Sequence, residues 1–153
     1  MIVYPPNIIK TIFLGGTIDN GNSIDWQKDL SDKIDKRKSE YQEFIYLNPR
    51  REDWDSSWGP ESTELVDQIR WELDNLEKCD IIVMRLLGTS KSPISLLELG
   101  LFARSNKLVV FCDKDFYRYT NVKVTCDKYG IIIVNSEEEL IRYILNNGKN
   151  TVF

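Results

Sequence analysis

A chain of 153 residues is the size of one domain, and its 42% apolar content, with 11% aromatics, is enough to fill one core, which excludes intrinsic disorder. Its 20 basic and 24 acidic side chains leave a net charge of −4, the wrong sign for nonspecific binding to nucleic acid or an anionic membrane. Because histidine is absent, Ser-His-Asp and Cys-His catalysis and HExxH metal sites are excluded. Catalysis must then use carboxylates, Tyr, Lys, Cys or Ser, and no metal or cofactor is expected.

The start, Met1 to Pro6, has neither the basic residues nor the apolar run of a signal peptide. Ile8–Leu14 reads as a buried strand that ends in Gly15-Gly16-Thr17-Ile18-Asp19. A helical pattern over Ile24–Ile34 follows, inside a charge-rich stretch, Asp25–Glu43, that reads as a solvated helix and loop. Phe44–Leu47 is a second strand, leading into Asn48-Pro49-Arg50-Arg51-Glu52-Asp53-Trp54. Helix Ser62–Lys78, strand Ile81–Met84 and the turn Gly88-Thr89-Ser90-Lys91-Ser92-Pro93 come next. Helix Pro93–Arg104, strands Leu108–Phe111 and Ile131–Val134, and helix Ser136–Leu145, opened by the capping box Ser136-x-x-Glu139, complete the chain.

Strands alternating with helices imply βαβ units, hence an α/β doubly wound, five-stranded parallel sheet of order 2-1-3-4-5 in a single domain over 1–153. In that architecture ligands bind beyond the carboxyl ends of the strands, where the Gly15, Asn48 and Gly88 segments fall. Cys79, Cys112 and Cys126 form no CxxC pair and are odd in number, and no run approaches the roughly 18 apolar residues of a membrane span. A soluble, cytoplasmic protein with reduced thiols is expected.

Ser92-Pro93 is a good helix start, a cap followed by a residue suited to the first turn. The helix behind it is apolar on nearly every side, yet carries Glu98, a residue type seldom buried without a partner. Either Glu98 is functional or it pairs with Arg85 or Arg104. On the preceding helix Glu72 is centred on the stripe formed by Leu65, Ile69 and Leu76, so it either faces inward or snorkels out. One carboxylate on each of two helices flanking the third strand suits glycosyl transfer, in which one attacks the anomeric carbon and the other orients substrate or moves a proton. Glu98 and Glu72 are therefore the candidate catalytic residues. Gly15, Gly16, Thr17, Asp19, Asn48, Trp54, Ser92 and Ser95, all at the same sheet edge, are candidate substrate-binding residues. Ser92 and Ser95 either receive an anion such as a phosphate, with help from Arg50 or Arg51, or Ser92 simply caps the helix. The glycines either admit a ligand to the backbone or make an ordinary tight turn. Trp54 and Trp58 either stack on a base or cover the sheet edge.

At these residues the chain resembles the nucleoside 2-deoxyribosyltransferase superfamily. The likeness lies in Leu14-Gly15-Gly16-Thr17-Ile18-Asp19, in Asn48-Pro49-Arg50-Arg51 with Asp53 and Trp54, and in Ser92-Pro93-Ile94-Ser95-Leu96-Leu97-Glu98-Leu99-Gly100-Leu101, and runs from about Thr11 to Phe111. The resemblance implies a flavodoxin-like fold, Glu98 as the nucleophile that takes the deoxyribosyl group, and Glu72 in a position where Asp is more usual. It also implies that Ser92, where transferases of free nucleosides carry Asp, contacts the 5′-phosphate of a nucleotide. A homo-oligomer with a shared active site is implied as well, with Asp113–Val124, including Tyr117, Tyr119 and Asn121, as the segment that reaches a neighbour.

Three functions follow as expectations. The first is cleavage or transfer at the N-glycosidic bond of a nucleoside or nucleoside 5′-monophosphate through a glycosyl-glutamate intermediate, with a small-molecule substrate and no nucleic-acid or membrane partner. The second is an NAD-cleaving glycohydrolase, because Toll/interleukin-receptor-type domains share the topology and a helix-borne glutamate. The third is a non-catalytic nucleotide-sensing module that does not depend on Glu98.

Overall fold

In the computed structural model, which describes residues 7–53, 55 and 57–147, strands and helices alternate as β1 (Ile8–Gly16), α1 (Trp26–Arg37), β2 (Gln42–Leu47), α2 (Thr63–Lys78), β3 (Ile81–Leu86), α3 (Pro93–Phe102), β4 (Leu108–Cys112), α4 (Tyr119–Tyr129), β5 (Ile132–Val134) and α5 (Glu137–Asn147). Every strand pairing is parallel and the order is β2-β1-β3-β4-β5, the flavodoxin-like arrangement expected.

The strands bury both faces, because successive side chains point to opposite sides of the sheet. Phe13, Ile82, Met84 and Val110 meet Leu76 of α2, Leu99 and Phe102 of α3, and Val122 and Cys126 of α4. Their neighbours Ile12, Leu14, Val83 and Val109 meet Trp26, Leu30 and Ile34 of α1, and Leu140, Ile141 and Ile144 of α5. Each fully buried aliphatic or aromatic side chain contributes about 1.5–3 kcal/mol, so the two layers together hold the sheet.

Local chemistry sets the boundaries. Asp25 caps α1 by accepting from the Lys28 N–H at 3.2 Å, which starts this helix two residues after the sequence pattern does. Ser62 caps α2 through the Leu65 N–H. The Ser136 hydroxyl caps α5 through the Glu139 N–H at 3.1 Å, while the Glu139 carboxylate reaches back one residue further, to the Asn135 N–H at 2.8 Å. Helix α4 is the element the sequence pattern does not announce. Thr120, Val122, Val124 and Thr125 are β-branched and weak helix formers, so only Val122 and Cys126, one turn apart and buried, mark its inner face. It stops at Gly130, whose φ of 66° is open to glycine.

Candidate active site

Past the carboxyl ends of β1 and β3, and walled by α2 and α3, lies a cavity of about 770 Å³, within the size range usual for small-molecule sites. Gly15, Gly16 and Asp19 from the β1 end, Glu72 from α2, and Ser92, Ser95 and Glu98 from α3 all line it.

Gly16 makes this edge possible. Its φ is 128°, and a Cβ there would lie 2.0 Å from the Arg85 carbonyl oxygen of β3. The glycine therefore serves the close passage of two strands, continued by the Thr17 N–H to Arg85 carbonyl bond at 2.9 Å, rather than an ordinary tight turn.

On α2 only Leu76 is fully packed in the core. The preceding turns carry their apolar stripe, Leu65, Ile69 and Leu73, along the cavity instead. Glu72, next to that stripe, therefore points into the cavity and does not snorkel to open solvent. Its Oε1 accepts from Gln68 Nε2 at 3.0 Å, and burial raises its carboxyl from the ordinary value against the opposing pull of that bond. Gln68 also accepts from Arg51 Nη1 at 3.4 Å. Gln68 escapes a sequence reading directed at charged residues, although its spacing of four from Glu72 is the signal that would have found it.

Glu98 is 8% exposed and has no hydrogen-bond or ion-pair partner among the described residues. The cations that would have neutralised it are committed elsewhere. Arg85 bonds Asp113 at 2.8 Å and lies 3.8 Å over the Phe111 ring, and Arg104 lies 5.2 Å over Tyr129. Desolvation first, and the charge of Glu72 second, push the Glu98 carboxyl up to about 7. The cavity thus holds two acidic groups that influence one another, one of them half-ionised near neutrality.

Ser92 departs from the helix-cap expectation. Helix α3 does start at Pro93, but Ser92 lies in the left-handed region (φ 44°, ψ 54°) and its hydroxyl caps nothing. It instead meets the Thr17 hydroxyl at 2.7 Å and the Ser90 hydroxyl at 3.0 Å, and Ser90 donates to Asp19 Oδ1 at 2.5 Å. Thr17 is fully buried behind this wall, where its Oγ1 also accepts from the Leu87 N–H at 3.0 Å, so it supports the cavity without lining it. Ser95 is 5% exposed, lines the cavity, and its hydroxyl has no partner among the described residues.

Other expected residues fall outside. Asn48 is exposed and accepts from the Arg50 N–H at 2.9 Å, away from the cavity wall. Arg50 is spent on the start of α1 and the loop before it, donating to Gln27 Oε1 at 3.2 Å and the Ile24 carbonyl at 2.8 Å. Arg51 does line the cavity, pinned to Asp53 at 2.6 Å and 5.0 Å over the Trp58 ring. Trp54 lies outside the described residues.

The doubly wound α/β domain thus turns a carboxylate from each of two helices into one cavity at its sheet edge. The sequence matches the family described as "Nucleoside 2-deoxyribosyltransferase like" over residues 9–116, and the chain belongs to that family. Membership points to nucleoside deoxyribosyltransferase-like activity. The structure is similar to that of a conserved protein from Enterococcus faecalis V583, with a TM-score of 0.59 at 14% identity over 91% of this chain and 99% of that one, a likeness of fold alone. No curated protein matches significantly. Among the described residues no helix is long and apolar enough to cross a membrane.

Proposed function

We propose that the protein breaks the N-glycosidic bond of a (deoxy)nucleoside or nucleoside 5′-monophosphate by double displacement at Glu98. An ionised Glu98 oxygen attacks C1′, the C1′–N bond breaks, and its electron pair leaves with the base, which takes up a proton. The nitrogen of a second base, or water, then attacks C1′ of the glycosyl ester and returns Glu98 as the carboxylate. Glu72, held by Gln68 and raised from its ordinary value by burial, orients the sugar or supplies the proton.

The observation that carries this reading is Glu98 itself: buried, without a cation, and in the same cavity as a second carboxylate. A structural glutamate at such a site would cost stability without return. Incubation with mixed nucleosides and 5′-monophosphates, with and without a second free base, followed by mass spectrometry of the products, tests it. Free base with sugar, or an exchanged nucleoside, supports the proposal, and unchanged substrates in every mixture oppose it.

A homo-oligomer is part of the same proposal. Ile94, Leu97 and Leu101 form one stripe along α3 and are 60%, 65% and 59% exposed at the cavity mouth, where a second copy would cover them.

A further inference from the structure

On the reading that this cavity takes a nucleoside or nucleotide, we infer that Asp19 is a specificity-determining residue, which makes the α3 end of the cavity accept an uncharged hydroxyl and reject a phosphate. Each hydroxyl in this wall has a single proton to give. Ser90 has one hydroxyl proton and gives it to Asp19 Oδ1 at 2.5 Å. In its contact with Ser92 at 3.0 Å, Ser90 must then be the acceptor, so the Ser92 proton points to Ser90. In the 2.7 Å contact between Ser92 and Thr17, the donor must therefore be Thr17. The protons run in one direction, Thr17 to Ser92 to Ser90 to Asp19, and the carboxylate at the end sets that direction.

The relay spends the donors that Ser92 itself would offer a phosphate. No hydroxyl proton in it is left over, the Ser92 N–H is bonded to Ser90 Oγ at 3.2 Å, and Pro93 has no N–H. Contacts of 2.5 and 3.0 Å place Asp19 Oδ1 within 5.5 Å of Ser92 Oγ, so an anion beside Ser92 meets a fixed negative charge at short range. What this wall does offer suits a neutral hydroxyl. Asp19 lines the cavity with its Oδ2 unpaired among the described residues, an acceptor for a hydroxyl proton. The buried Ser95 hydroxyl, also unpaired among them, lies on the same wall. Both Asp19 and Ser92 hold left-handed backbone conformations, with φ of 53° and 44°. This reverses the expectation drawn from Ser92 alone, because the group that matters at this position is one that Ser90 brings in from another loop.

The test measures binding to the Glu98→Gln protein, in which chemistry is blocked, by isothermal calorimetry with the four common 2′-deoxynucleosides and their 5′-monophosphates. At least one nucleoside should bind at least tenfold tighter than its monophosphate. Adding Asp19→Asn, which keeps the size of the side chain and tolerates a left-handed backbone, should cut that ratio at least tenfold, and Ser90→Ala should lower it in the same direction. The proposal is overturned if the monophosphate binds as well or better, if Asp19→Asn leaves the ratio unchanged, or if neither ligand binds. Selective binding that responds to Asp19, together with wild-type protein that cleaves nothing, would uphold this inference and sink the glycosidic reading alone.

Discussion

Replacing Glu98 by Gln should make the protein more stable at alkaline pH and leave it nearly unchanged in acid. The folded state keeps the Glu98 proton up to about pH 7, whereas the unfolded chain gives it up near the ordinary value of 4.5. Between those limits the folded state binds more protons than the unfolded state, so the stability of the wild type falls as pH rises through the window and then levels off. At about 1.4 kcal/mol per pH unit, the charged carboxylate costs about 3 kcal/mol above pH 7. Gln has nearly the same shape and no charge to desolvate, so it avoids this cost. For a chain of this size the gain corresponds to roughly 10 °C in Tm. Urea or thermal unfolding of both proteins at intervals between pH 4 and pH 8.5 should show curves that coincide near pH 4 and diverge up to pH 7. A variant that is less stable at pH 8, or a difference independent of pH, would refute the reasoning and point instead to a structural ion pair at Glu98.

The same ionisation should appear in catalysis as a rise of kcat/KM through a pH near 7 as Glu98 becomes a nucleophile, and a rise centred near 4.5 would mean that another group controls the rate. Gly16→Ala should cost at least about 3 kcal/mol, since it places a Cβ 2.0 Å from the Arg85 carbonyl at a φ of 128°, and a melting temperature within a degree or two of wild type would contradict that account of the glycine. Leu97→Lys, at 65% exposure on the α3 stripe, should leave the far-ultraviolet spectrum intact but lower the mass measured by sedimentation, and an unchanged mass would remove this stripe as the interface.

The fold was legible because its signals are local and repeated. Continuous β-branched runs at Ile81 and Leu108 can only be strands buried on both faces, and their alternation with amphipathic stretches leaves few topologies. Helix α4 was illegible for the converse reason: its residues disfavour a helix in isolation, and packing of Val122 and Cys126 against the sheet overrides that preference. At the site, Glu98 and Glu72 stood out because a carboxylate on an apolar face is an anomaly at any level of description, and both do line the cavity. The surroundings of Ser92 could not be read in the same way. Its partners Thr17, Ser90 and Asp19 come from two loops, and the two longest links span 75 and 71 positions. Asn48 and Arg50 misled because a polar residue after a strand serves its own loop as readily as a ligand.

The central claim, that Glu98 forms a bond to the sugar, is tested most directly by rapid quenching of wild-type and Glu98→Gln protein with a 2′-deoxynucleoside substrate, followed by proteolysis and mass spectrometry of the peptide that contains position 98. The account predicts a deoxyribosyl adduct on Glu98 in the wild type, lost on addition of an acceptor base, and neither adduct nor turnover in the variant, whose kcat should fall by several orders of magnitude. Turnover by Glu98→Gln at a rate near that of the wild type, with no adduct on either protein, would contradict it.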